Sequence, residues 1–328
     1  MSRPIVFVSR KTTPGMRALF DEVLGGAAQV VYADDLDAAA RQAALGAAEV
    51  LVAQNIRIEY TAEELAGLAN VRLVQALTAG VDHVPFSKLS SRVMVAGNPG
   101  AYAEAMAEHV VAVTFAAGKR LLEEDRRMRA GEFNQFVANR RMAGSICAII
   151  GFGGVGRHTA RLLRPLGMAI HAINRSGATD ETVDFIGTLD DLEIVLRAAD
   201  IVVVALSLTH TTRGLIGARE LSWLKDDAIL VNVSRGEIID QSALYERLVA
   251  SPTFTACIDA WWVEPVRHGE FRLEHPFLDL PNVIASPHNS AAGATDVTRP
   301  LRRALENVRR YLDGEAPRWI VGDDEKLL

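Results

Sequence analysis

Two cysteines in 328 residues leave no disulfide framework to read. Cys147 and Cys257 sit inside the apolar runs SICAII and TACIDA, where a thiol is expected to be a small buried hydrophobe rather than half of a bridge or a metal ligand. A reducing, cytoplasmic setting fits, and no metal site is expected. Long apolar runs are missing too: none approaches the about 18 residues that argue for a membrane span. The amino-terminal stretch MSRPIVFVSR runs into Arg10 and Lys11 too early for a signal peptide. An excess of positive charge is the third absence. Thirty-five Lys and Arg against 41 Asp and Glu give a formal net charge of -6. Such a surface has no general attraction for nucleic acid or anionic membrane, so neither is an expected partner.

What is present is length and alternation. A chain of 328 residues, 49% of them apolar, exceeds one ordinary hydrophobic core and can fill two. The first hundred residues alternate β-branched runs (IVFVS, QVVYA, EVLVA, VRLVQAL, VMVAG) with helix-spaced stretches such as AEELAGLA. This is the pattern of a parallel α/β layer. From Asn98, which can cap, and Pro99, which suits a first turn, the Ala-rich stretch to Ala117 reads as a long helix buried between two domains. The charged segment LLEEDRRMRAGEFNQFVANRRMAG then leaves two readings open: a solvated face, or a subunit contact through Phe133, Phe136 and Val137. Strand-like runs follow from Ile146, Met168, Ile201, Ala228, Thr255 and Asn282, the last four evenly spaced. They predict a six-stranded doubly wound parallel sheet. A final helix is expected from Thr295 to Leu312, ended by Gly314 and Pro317, returning to the first domain.

Chemistry is expected where strands end. Gly151, Gly153 and Gly156 stand in G-x-G-x-x-G spacing between a strand and a helix, a pattern that brings backbone close to a pyrophosphate at a helix amino terminus. Past the other strands come Asn174-Arg175-Ser176, Ser207 with Thr209 and Thr212, Ser234-Arg235, Asp259 with Trp261, and His288. Taken singly, Arg235 reads as a surface ion-pair residue, Glu264 as a loop carboxylate before Pro265, and His288 as a satisfied loop histidine. Topology makes them converge.

Four segments in order carry a family resemblance over nearly the whole chain: LTAGVDHV (77–84), GFGGVG (151–156), VNVSRGEIIDQSAL (231–244), and DAWWVEP with SPHNSA. The chain resembles the D-isomer-specific 2-hydroxyacid dehydrogenases, within them the glyoxylate and hydroxypyruvate reductases. The resemblance implies a Rossmann-type nucleotide domain (99–288) inserted in a discontinuous flavodoxin-like substrate domain (1–98 and 289–328), an interdomain cleft, and a homodimer formed largely by the nucleotide domains. It implies catalytic roles for Arg235, Glu264 and His288, and a substrate site completed by Ala79, Gly80 and Val81. Cofactor contacts are expected at Gly151, Gly153, Gly154, Val155, Gly156, Asn174, Arg175, Ser176, Leu206, Ser207, Thr212, Val233, Arg235, Asp259 and His288.

Reduction of a 2-keto acid leaves charge on the carbonyl oxygen, so a proton donor (His288), a carboxylate that orients it (Glu264) and a fixed cation (Arg235) suit the reaction. Three features individualise the chain. After Asp259, where the family commonly has a smaller apolar residue and a phenylalanine, this chain has Ala260 and Trp261, followed by Trp262, and the bulky rings are expected to narrow a cleft. The stretch VRHGEFRLEHPF (266–277) is longer than in the shorter members. The second nucleotide-domain strand ends in Asn174-Arg175-Ser176 without the carboxylate that would bind a ribose 2′-hydroxyl, so NADP is expected in preference to NAD, with NAD possible. Two alternatives differ in kind. Formate dehydrogenases share the fold but have glutamine at the position of Glu264. A dinucleotide-sensing corepressor or scaffold, as some relatives are, would bind cofactor without turnover; no extra peptide-binding segment supports it.

Overall fold

The computed structural model describes residues 3–292 and 298–326. The chain divides into two compact units, Met1–Ala101 with Ala294–Leu328, and Tyr102–Gly293. In the first, all five expected strands form: β1 (Ile5–Val8), β2 (Gln29–Tyr32), β3 (Val50–Ala53), β4 (Leu73–Ala76) and β5 (Met94–Ala96). They pair in parallel in the order β2-β1-β3-β4-β5, the flavodoxin-like arrangement. Alternation along β1 feeds two cores. Val6 and Val8 join Phe20, Leu301 and Leu305 on one face, while Phe7 joins Leu51, Ile56 and Val74 on the other.

The helices of this unit begin where short polar side chains take up orphan N–H groups. Thr13 caps Pro14–Leu24, Asp37 caps Ala38–Ala47, and Thr61 with Glu64 makes a capping box for Ala62–Ala66. The returning helix is Thr298–Leu312; its expected start at Thr295 lies outside the described residues. It packs on Pro14–Leu24 and β4 through Leu301, Ala304, Leu305 and Val308. A buried amide pair fixes its register. Asn307 Nδ2 donates to Gln75 Oε1 (2.7 Å) and to the Arg318 carbonyl, and its oxygen accepts the Arg318 N–H.

The second unit holds seven parallel strands rather than six: β6 (Ile146–Ile150), β7 (Ala169–Ile173), β8 (Phe185–Gly187), β9 (Ile201–Val204), β10 (Ile229–Asn232), β11 (Thr255–Ile258) and β12 (Val283–Ala285). Their order is β12-β11-β10-β9-β6-β7-β8. The additional strand, β8, is three residues long and pairs only with β7, at the sheet edge. So short a strand has no periodicity to betray it. Every residue of β9 and β10 is buried, as a sheet covered on both faces requires.

The helix expected from Asn98 starts later, at Ala103, and ends at Gly118. Gly100, with φ +81°, turns the chain first. Asn98 is not a cap: its amide is wholly buried and donates to the Leu77 and Pro300 carbonyls (3.3 and 3.0 Å). The helix packs against Gly154–Leu163 and against β10 and β11. No helix among the described residues is long and apolar enough to cross a membrane.

Replacing Asn307 by alanine strands the Gln75 oxygen and both Arg318 backbone groups. Each unsatisfied buried group costs roughly 1–3 kcal/mol. We expect urea denaturation of Asn307→Ala to show a loss of at least about 2 kcal/mol; a loss below about 0.5 kcal/mol would refute a register role for the pair.

Candidate active site

In the second unit the glycine loop leaves β6 beside β9, where the strand order reverses. Gly151 has φ +104°, and a Cβ on it would lie 2.4 Å from the Ala205 carbonyl oxygen. Gly156 lets the helix Gly154–Leu163 sit against the strand, since a Cβ there would come within 2.5 Å of the Gly151 oxygen. Gly153 differs. Apart from its chain neighbours, no atom of the described residues lies within 4 Å of where its Cβ would stand, which leaves room for a ligand to come close. These three environments fit a dinucleotide pyrophosphate, with the first-turn N–H groups of Gly154, Val155 and Gly156 beneath it.

Beyond β7, the Asn174 carboxamide organises the turn. Its oxygen accepts the Ser176 and Gly177 N–H groups (3.1 and 2.8 Å), its nitrogen donates to the Ala178 carbonyl, and the Ser176 hydroxyl bonds within the same turn. Asn174 and Ser176, expected at the cofactor, therefore spend hydrogen bonds on the loop itself. Arg175 between them is exposed. The next carboxylates, Asp180 and Glu181, pair with Arg157 and Arg161 of the glycine-loop helix. After β9, Leu206 is half-buried and Ser207 exposed, while Thr212 is buried and donates to the Ser207 carbonyl (2.7 Å), with Thr209 hydrogen-bonded to it. Val233 is buried and has only its backbone to offer a ligand.

Arg235 follows β10 and Ser234. Asn232 Nδ2 donates to its carbonyl (3.0 Å), and its own Nη1 donates to the Ser234 carbonyl. Glu264 and His288 are brought into direct contact: Nδ1 of His288 lies 2.8 and 2.9 Å from the two carboxylate oxygens. The imidazole Nδ1–H donates there, leaving Nε2 for a reactant. Glu264 is buried and also accepts the Trp261 N–H at 2.7 Å. Burial pushes its carboxyl up. The hydrogen bond and charge of His288, the Trp261 N–H and the charge of Arg235 outweigh that and hold it below the ordinary carboxylate range.

His288 has φ +51°, left-handed for a residue with a side chain. Asp259 accounts for that backbone. Almost fully buried, it accepts from the Ser286 hydroxyl (2.6 Å) and the Asn289 and Ser290 N–H groups, and its carbonyl accepts the His288 N–H (2.9 Å). Asp259, expected at the cofactor, thus shapes the histidine loop. Ser286 was missed in the sequence, although the serines of SPHNSA flank the histidine; it also meets His109 at 3.4 Å. The two tryptophan rings are buried and act as braces. Trp261 Nε1 donates to the Ser286 carbonyl (2.8 Å) and Trp262 Nε1 to the Ile239 carbonyl (2.7 Å). In the first unit, Ala79, Gly80 and Val81 follow β4, and Thr78 donates to the Gly80 carbonyl.

A family model for the D-isomer specific 2-hydroxyacid dehydrogenase, NAD binding domain, matches residues 111–290. The chain belongs to the D-isomer specific 2-hydroxyacid dehydrogenase family. Its relatives include the glyoxylate reductase of Aeropyrum pernix, 31% identical over 98% of this chain and 96% of that one. The glyoxylate reductase/hydroxypyruvate reductase of Mus musculus is 29% identical over 84% of each. A crystal structure from Pyrobaculum aerophilum, provisionally assigned as a formate dehydrogenase, matches with a TM-score of 0.80 at 29% identity over the whole of both chains. Like its family, this dehydrogenase is an oxidoreductase that uses a nicotinamide dinucleotide, and the match lies within the seven-stranded unit.

The two later glycines of the dehydrogenase's loop should separate binding from folding. Gly153→Ala is expected to keep the thermal midpoint and lose tenfold or more in dinucleotide affinity; Gly156→Ala should lower both. Unchanged affinity in Gly153→Ala, read by quenching of protein fluorescence, would contradict a pyrophosphate at that position.

Proposed function

We propose that the protein reduces a small 2-keto acid, glyoxylate or hydroxypyruvate, to the 2-hydroxy acid with NADPH, as a cytoplasmic homodimer. The observation that carries the reading is the Glu264–His288 contact at 2.8 Å, within electrostatic reach of Arg235 and in the unit that bears the glycine loop. When bound, the reduced nicotinamide supplies the hydride. His288 Nε2 gives the proton to the developing alkoxide, Glu264 holds the ring and favours its charged form, and Arg235 neutralises the substrate carboxylate or carbonyl oxygen with a planar fork. In the first unit, the backbone N–H groups of Ala79, Gly80 and Val81 are proposed as substrate contacts. An anionic partner at 264 suits a reaction that consumes a proton, whereas formate oxidation needs no acid. Glyoxylate reductases of Aeropyrum pernix and mouse among the relatives support the substrate class.

The substrate unit is assigned to residues 1–98 with 289–328 and the nucleotide unit to 99–288. Homodimer formation is supported by Phe133 and Phe136, 76% and 87% exposed, near Leu121, Leu122 and Met128 on the charged segment. A sedimenting species of one chain's mass would count against it. Two buried, unbridged thiols agree with a reducing compartment.

Cofactor preference rests on the β7 turn. No carboxylate stands at 174–176, and the adjacent ones are neutralised by Arg157 and Arg161. Arg175, exposed in this turn, is the proposed partner of a 2′-phosphate. We expect a lower KM for NADPH than for NADH with glyoxylate or hydroxypyruvate. Arg175→Ala should weaken NADPH selectively, by the ~1.5–3 kcal/mol of a hydrogen bond to a charged group. Equal efficiencies with both cofactors, or a loss shared by both, would remove the preference; no turnover across a panel of keto acids would remove the function.

The acid–base pair has its own signature. Glu264 is ionised through the neutral range because its carboxyl sits below its ordinary value, and there it favours the protonated imidazole that reduction consumes. Glu264→Gln is expected to shift the alkaline limb of the reduction profile to lower pH. His288→Ala should lose about 10²-fold or more in kcat while still binding NADPH. An unmoved limb in the Gln variant would strip Glu264 of this role.

A further inference from the structure

The turn that carries Arg235 and the turn that carries Glu264 belong to different strand ends, yet the proposed chemistry needs them at one fixed separation. Three features bind them to each other. Gly236 touches backbone, since a Cβ there would lie 2.4 Å from both the Trp261 carbonyl carbon and the Trp262 nitrogen. Trp262 hydrogen-bonds to the Ile239 carbonyl. The third is an ion pair: Arg267 Nη1 and Nη2 donate to the two oxygens of Glu237 at 3.0 and 2.8 Å, with both side chains at least four-fifths buried.

The placement of that pair is what gives it significance. Glu237 lies in the turn Gly236–Ile238, two residues after Arg235. Arg267 lies in the short helix Pro265–His268, three residues after Glu264. The bidentate fork therefore spans the same gap as Arg235 and Glu264 and runs beside it. A parallel, planar pair restricts both distance and rotation, which a single-point contact does not. Within the short helix, His268 Nδ1 also accepts the Glu264 N–H at 2.9 Å, so the position of Arg267 is passed to the Glu264 backbone through one rigid turn.

We propose that Glu237 and Arg267 are a positioning pair that sets the separation of the Arg235 and Glu264 turns, and through it keto-acid turnover, without touching substrate or cofactor. The inference deepens the reading of Arg235, Glu264 and His288 as a reductase site and rests on it. Arg267 belongs to the segment 266–277, so the residues that extend this loop become part of the machinery that aligns the site rather than surface decoration.

The test compares Glu237→Gln, which is isosteric, with Arg267→Met and Arg267→Lys in the full-length protein. For Glu237→Gln and Arg267→Met we expect kcat/KM for the keto acid to fall roughly tenfold or more, mainly in kcat, as misalignment of reacting groups does. NADPH affinity should stay within twofold, and Arg267→Lys should recover part of the loss. A second reading needs no turnover: with histidine-labelled protein, no ligand and one fixed pH, the NMR resonance of the His288 Nδ1–H proton, which reports its hydrogen bond to Glu264, should move upfield in Glu237→Gln and Arg267→Met, because a displaced Glu264 accepts that proton less well. An unmoved Nδ1–H resonance in both variants, or kinetics within twofold of the unaltered protein, would overturn the proposal. Absence of keto-acid turnover in the unaltered protein would instead overturn the functional reading, with the Nδ1–H resonance still deciding the pair.

Discussion

Parallel pairing in both sheets is the constraint from which everything else follows. A strand that enters a parallel sheet must leave at the same edge as its neighbours, so the residue after each strand faces a common rim. Seven strands of the second unit obey this, and the glycine loop, Arg235, Asp259 and the loop of His288 lie after four of them. The reactive groups are scattered over the sequence because the rim collects them. Glu264 reaches the set by another route. It comes five residues after Asp259 and is drawn back by the Trp261 N–H and the His288 ring.

Two acids close together in sequence are thereby given different work. Asp259 is buried, accepts from a hydroxyl and from backbone N–H groups of the histidine loop, and holds the left-handed turn at His288. Glu264 is buried against an imidazole and a guanidinium charge, and its carboxyl is drawn below the ordinary range. A carboxylate that stabilises a backbone and one that stabilises a cation are distinguished by their donors, not by their burial. The tryptophans between them supply indole N–H donors to carbonyls on either side, so both bulky rings are held by hydrogen bonds as well as by packing.

Much of this was legible in the sequence, and the rest was not for specific reasons. Eleven of the twelve strands among the described residues fall in runs that the sequence marks as strand-like, nine of them four residues or longer, and the glycine spacing is a local pattern; both depend on neighbours along the chain. The edge strand Phe185–Gly187 is too short for a period of two to register. Asn98 looks like a cap because caps are local, but its amide is claimed by a carbonyl at Pro300. Asn174 and Ser176 offer donors on paper, and the turn absorbs them. The Glu237–Arg267 pair joins positions 30 residues apart, each of which reads alone as a solvated charge. Composition shows which groups exist, while long-range pairing decides which remain available.

The return of Thr298–Leu312 to the first unit has a consequence for synthesis. That unit's core includes Leu301, Leu305 and Val308 alongside Val6, Phe20 and Leu73, and Asn307 secures it to Gln75. A nascent chain that has produced the first five strands lacks this helix until the whole seven-stranded unit has been translated. The middle of the polypeptide can fold as soon as it emerges, whereas the beginning must wait with one sheet face covered only in part, by Pro14–Leu24. Order of emergence and order of completion are therefore inverted, and the waiting segment is where a chaperone would find exposed apolar surface on the ribosome.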